Sequence, residues 1–183
     1  SNGLPVDIVK SLAISGINLF ASIYARGVFL STDNGSTWNP SGLTATVNSF
    51  AIRGSNIFAA TSNSVYRSTN NGENWSFVNN GLPGTNVSSL VVRGNNLFAG
   101  VSGGVYVSAN DGDSWTYAGL SNQDVRSLTI NGDTILAGTY SEGVFRSTDN
   151  GGNWSNENIG ITNLFVKSLA ISGNNLIAGT YGG

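Results

Sequence analysis

Short apolar runs, broken every few residues by glycine, asparagine or serine, extend along the whole chain, and five of them are near copies. They read Val9-Lys-Ser-Leu-Ala-Ile14, Val47-Asn-Ser-Phe-Ala-Ile52, Val87-Ser-Ser-Leu-Val-Val92, Val125-Arg-Ser-Leu-Thr-Ile130 and Val166-Lys-Ser-Leu-Ala-Ile171. Each leads into a turn centred on Gly16, Gly54, Gly94, Gly132 or Gly173, then into a second run: Leu19-Phe-Ala-Ser22, Ile57-Phe-Ala-Ala60, Leu97-Phe-Ala-Gly100, Ile135-Leu-Ala-Gly138 and Leu176-Ile-Ala-Gly179. Two such runs around a glycine turn predict a β-hairpin. The small residue ending the second run permits close backbone approach where sheets crowd together. A third run carries a valine–aromatic pair: Val28-Phe29, Val65-Tyr66, Val105-Tyr106 or Val144-Phe145. No stretch has a helical period, and the breakers come too often for one. The runs are more uniformly apolar than a one-sided sheet requires, so each sheet is expected to be covered on both faces.

After the third run comes an octapeptide of serine, any residue, Asp or Asn, any residue, glycine, two more, tryptophan. Its copies are anchored at Ser31, Asp33, Gly35 and Trp38; at Ser68, Asn70, Gly72 and Trp75; at Ser108, Asn110, Gly112 and Trp115; and at Ser147, Asp149, Gly151 and Trp154. The tryptophans are 37, 40 and 39 residues apart, the mark of a repeat architecture. The octapeptide is predicted to be a turn. Its polar side chain can bond local N–H groups, its glycine can take positive φ, and its tryptophan opens the fourth strand. It resembles the Asp-box, or BNR, repeat of sialidase-like β-propellers, and the resemblance covers nearly the whole chain. It implies an all-β propeller array of four-stranded antiparallel blades, with the box as a folding element.

The repeats predict a leader over 1–8 and one array over 9–183, with units at 9–46, 47–86, 87–124 and 125–165 and a half-unit at 166–183. Asn2-Gly3-Leu4-Pro5 echoes Asn80-Gly81-Leu82-Pro83 ahead of the third unit. About four and a half units leave the count open, so either the natural protein continues beyond Gly183 or this is a fragment with a half-blade at its end. Its apolar faces (Leu169, Ile171, Leu176, Ile177) and open edge predict self-association through the terminal units, with a dimer favoured.

Composition narrows the chemistry. Charged residues are 10% and the net charge is −2, which offers no general attraction to nucleic acid or anionic membrane. No run reaches the ~18 apolar residues of a membrane span. Cysteine and histidine are both absent. Disulfides and thiolate sites are thereby excluded, and the commonest general base and transition-metal ligand removed. No metal or cofactor is expected; the Asp-Asn-Gly turns have neither calcium-loop spacing nor enough carboxylates. The sequons at Asn34, Asn74, Asn86 and Asn153 mostly follow from the octapeptide's own composition. Low charge with much Asn, Ser, Thr and Gly resembles secreted bacterial repeat proteins, and a secreted or cell-surface location is expected.

Residues shared by all units serve the blade; residues peculiar to one are free for function. In the resembled family ligands bind on the face opposite the boxes, where the 2–3 and 4–1 loops lie. There the innermost strands bring Lys10, Asn48, Ser88, Arg126 and Lys167 near the axis, with Tyr24, Arg26, Tyr140 and Glu142 around them. Such a rim suits a carboxylate-bearing or sugar ligand. On the box face, Arg53 and Arg93 share one turn position and are read as exposed and tolerant. The resemblance raises a sialidase-like reading, for which Arg26, Arg126, Tyr140, Glu142 and Asp124 offer the residue types. The family's arginine-bearing Phe-Arg-Ile-Pro-type motif is missing, however, and Glu142 has no obvious partner in its own unit for a catalytic carboxylate pair. The expectation is a non-catalytic binding or scaffold module with a glycan or protein ligand. The alternatives are a glycan-processing propeller and an assembly factor like the photosystem-associated propellers.

Overall fold

A computed structural model describes residues 2–182, so Ser1 of the leader and Gly183 of the half-unit lie outside the described residues. Four sheets have four antiparallel strands each. The first holds β1 (Val9–Ser15), β2 (Asn18–Ile23), β3 (Gly27–Ser31) and β4 (Asn39–Pro40); the second β5 (Val47–Arg53), β6 (Asn56–Thr61), β7 (Val65–Ser68) and β8 (Ser76–Phe77). The third holds β9 (Val87–Arg93), β10 (Asn96–Val101), β11 (Gly104–Ser108) and β12 (Thr116–Tyr117); the fourth β13 (Val125–Asn131), β14 (Thr134–Thr139), β15 (Val144–Ser147) and β16 (Ser155–Asn156). A two-stranded sheet of β17 (Val166–Ser172) and β18 (Asn175–Thr180) follows. The first strand of each sheet packs on the first strand of the next, from β1 through β5, β9 and β13 to β17. This is a β-propeller arc of four full blades and a two-stranded fifth.

Local chemistry accounts for the hairpins. Each 1–2 turn is a two-residue loop whose first member is glycine at φ 55 to 61° and whose second is not left-handed, the order a tight hairpin with a leading glycine requires. The fourth strands are only two residues long and begin just after the tryptophan, which therefore precedes the strand instead of opening it.

The core lies between blades. Phe20, Val47 and Ile57 cluster across the first junction; Phe58, Val87 and Leu97 across the second; Phe98, Val125 and Ile135 across the third; Leu136 and Val166 across the fourth. Approach is close enough that a Cβ on Gly100 would stand 2.7 Å from a Val125 methyl, and one on Gly138 would stand 2.6 Å from a Val166 methyl. The supposed leader is built into the first blade: the Asn2 carbonyl accepts the Trp38 N–H at 2.9 Å, as the Asn80 carbonyl accepts that of Trp115 at 2.8 Å. Leu4 packs with Trp38 against Ala21, Ile23 and Phe29.

Candidate binding face

The octapeptide turns hold the array together on one face. In each, the serine Oγ donates to the Asp or Asn Oδ1 at 2.8–3.0 Å and accepts the glycine N–H at 2.8–2.9 Å. The same Oδ1 takes the N–H four residues on. The position before the glycine, read as free in the sequence, is left-handed in every copy (Asn34, Asn71, Asp111, Asn150), and only Asn and Asp occur there. Those residues tolerate that conformation. Three tryptophans reach backwards across a blade junction: the indole N–H of Trp75 donates to Ser41 O at 3.0 Å, that of Trp115 to Val78 O at 2.9 Å and that of Trp154 to Ala118 O at 2.8 Å. The indole N–H of Trp38 donates to Gly35 O of its own turn at 3.1 Å and, among the described residues, makes no bond across a junction.

On this face the arginines correct the sequence reading. Arg53 reaches Asn95 O and Asp111, while Arg93 reaches Asn150 and, at 2.9 Å, Asp133. Their side chains are mostly buried and join neighbouring blades, so they are structural braces, not free turn residues.

On the other face a repeated irregularity builds the site. In every first strand the register skips one residue: Lys10, Asn48, Ser88, Arg126 and Lys167 have no cross-strand partner in β2, β6, β10, β14 and β18. A β-bulge re-aims the side chain of its extra residue. All five bulged residues, with Asn86, line one cavity of about 460 Å³. The serine after the bulge, present in all five copies but not singled out from the sequence, links blades. The hydroxyls of Ser49, Ser89 and Ser127 accept the N–H of Leu90, Leu128 and Leu169 at 3.0–3.1 Å.

The residues expected around this opening are only partly gathered. Arg126 pairs with Asp124 and lies 5.2 Å from the Tyr140 ring centre; Tyr140 in turn meets Phe165 edge-to-face at 4.9 Å. Lys167 lies over Tyr181 at 4.5 Å, a ring not among the expected site residues. Asn48 Nδ2 is spent on Asn86 Oδ1 and Val87 O, both at 3.1 Å. Lys10 lines the cavity, whereas Arg26 is drawn off to Asp7 at 3.2 Å. The Asp7 carboxyl is held below its usual range by the Ile8 N–H and then by Arg26. Tyr24 is about half exposed and its N–H donates to Ile8 O. Glu142 is exposed; its carbonyl accepts Asn158 Nδ2 at 2.9 Å, and its carboxylate does not line the cavity.

Residues 53–168 match the family described as the DUF6242 β-propeller domain. No curated protein sequence matches the chain. Among solved structures, YCF48 bound to a D1 peptide aligns over 100% of this chain and 63% of its own, at 15% identity and TM-score 0.78. The extracellular domain of a one-component system from B. thetaiotaomicron aligns over 93% of this chain and 25% of its own, at 21% identity and TM-score 0.77. An ancestral GH74 enzyme aligns over 87% and 27%, at 22% identity and TM-score 0.72. The chain thus spans less than two-thirds of each, and at these identities the likeness carries the fold alone.

Proposed function

We propose, on the premise that this chain belongs to the DUF6242 β-propeller domain family, that it is a non-catalytic binding module whose site is the axial opening on the face away from the octapeptide turns. The observation that carries this reading is the convergence of five bulged residues, three of them cationic, on one cavity flanked by exposed tyrosines. Cations beside aromatic rings suit a carboxylate-bearing or sugar ligand. The octapeptides are Asp boxes in the BNR sense, and their hydrogen bonds are all directed at the fold. The module works in a secreted or cell-surface bacterial protein, which the low charge and the likeness to an extracellular domain support.

A glycan array probed with the chain tests this. Expected is binding to acidic glycans that is weakened by added salt and by Arg126→Ala or Lys167→Ala. Binding lost in Asp33→Ala at unchanged thermal stability would move the site to the other face. Peptide recognition, as in an assembly factor, is the second reading; the alignment of peptide-bound YCF48 over the entire chain favours it.

A further inference from the structure

The cations at the opening come in couplets. Lys10, Arg126 and Lys167 are each followed fourteen residues later by a tyrosine of the adjacent 2–3 loop, Tyr24, Tyr140 and Tyr181; where the bulged residue is the neutral Asn48 or Ser88, that position holds Ser62 or Ser102. Charge and ring therefore vary together, by blade. The first, fourth and fifth blades carry the couplet, and the second and third line the opposite side with Asn48, Asn86 and Ser88. None of the six lining residues is acidic. Asp124 offsets Arg126, but among the described residues the Lys10 ammonium has no ion-pair or hydrogen-bond partner, and the Lys167 ammonium lies over the Tyr181 ring with no carboxylate paired to it. Cations lining a cavity that holds no carboxylate give it a positive field, which attracts an anion.

Resting on the binding-module reading, we propose that the opening receives a compact head bearing at least two carboxylates, with Lys10 and Lys167 taking one each and Arg126 set by Tyr140 and Asp124 behind them. A monocarboxylate leaves one ammonium uncompensated. The ligand is either a free polycarboxylate or the acidic units of a uronate chain. Ser88, whose Oγ accepts from Asn86 Nδ2 at 2.5 Å, keeps its own O–H to donate.

Calorimetric titration of the 183-residue chain at low ionic strength tests this with acetate, malonate, tricarballylate, pyrophosphate and trigalacturonate. Expected is no measurable binding of acetate and measurable binding of both malonate and tricarballylate, each at least tenfold tighter than acetate; failure of both to bind overturns the proposal. Tricarballylate binding should fall at least tenfold in Lys10→Met and in Lys167→Met, and stay within twofold of the parent in Arg146→Gln, a cation outside the opening. Trigalacturonate tighter than tricarballylate assigns the head to a uronate chain, and the reverse assigns it to a free polycarboxylate. Equal affinity for acetate and tricarballylate overturns the proposal, as does pyrophosphate binding most tightly or full affinity in a folded Lys10→Met variant. Glycan-array binding with none of the five probes bound overturns this inference but leaves the binding module standing; a blank array as well removes both this inference and the glycan reading, leaving peptide recognition.

Discussion

One hydroxyl and one carboxamide or carboxylate oxygen organise each octapeptide turn, and that oxygen belongs to a carboxylate, Asp33 or Asp149, in two of the turns. Hydrogen bonds from the Thr37 side chain and N–H hold Asp33 at about 2, and those from the Asn153 N–H and side chain hold Asp149 at about 2, against an ordinary 3.8. Both values are depressed in the folded chain, so the unfolded chain takes up protons first as pH falls. The stabilisation is whole above about pH 4 and is lost toward pH 2. Asn70 and Asn110 make the same backbone bond without titrating. Melting temperature between pH 2 and 5 should therefore fall less steeply in an Asp33→Asn, Asp149→Asn double variant; an unchanged acid limb would refute the assignment. The tryptophans differ by burial and reach. Trp115 is buried and bonded across the junction, so Trp115→Ala should cost about 3–5 kcal/mol in denaturant unfolding. Trp38→Ala should cost less, because among the described residues that indole bonds only within its own turn.

At the scale of the strand, the bulge and the small residue in the following strand act together. Dropping one residue from the ladder turns Lys10, Asn48, Ser88, Arg126 or Lys167 toward the axis. The next serine is left to bind an N–H on the inner edge of the adjoining blade, a group that no fifth strand is there to pair. Gly100 and Gly138 sit where the next blade's first valine presses closest. Gly100→Ala or Gly138→Ala should therefore destabilise by about 1–3 kcal/mol, the scale of an overpacked core. Chemical denaturation checks this, and a neutral or stabilising effect at both sites would mean that the blades can separate freely.

Across the whole molecule, equivalent positions show where packing ends. Leu90 is 3% exposed and its counterpart Leu12 is 67% exposed; Phe98 is fully buried and its counterpart Ile177 is 54% exposed. Leu169 and Ile171, named among the apolar faces of the half-blade, pack against Leu136, Val144 and Val166 of the preceding junction. Apolar surface of this kind drives association. The 183-residue polypeptide is expected to form dimers through these terminal faces, measured by light scattering, and Leu12→Lys or Ile177→Lys should shift it to monomer. A monomeric parent at high concentration would count against it. No turnover is expected on fluorogenic sialosides, and turnover that vanished in Tyr140→Phe or Glu142→Gln would replace the binding reading with an enzymatic one.

What the sequence by itself determined is everything with a period: the hairpins, the octapeptide turns, the four-stranded blade and the propeller that stacking such blades requires. Each rests on local chemistry, a glycine turn, a short polar side chain or an apolar run, and local chemistry is legible in consecutive residues. Tertiary structure alone decided what lies across the junctions. The axial cavity depends on bulges that no run of residues announces, since a skipped register exists only relative to a partner strand. The braces of Arg53 and Arg93, the reach of Trp75, Trp115 and Trp154 into the preceding blade, and the diversion of Arg26 to Asp7 depend in the same way on partners that only folding brings within reach.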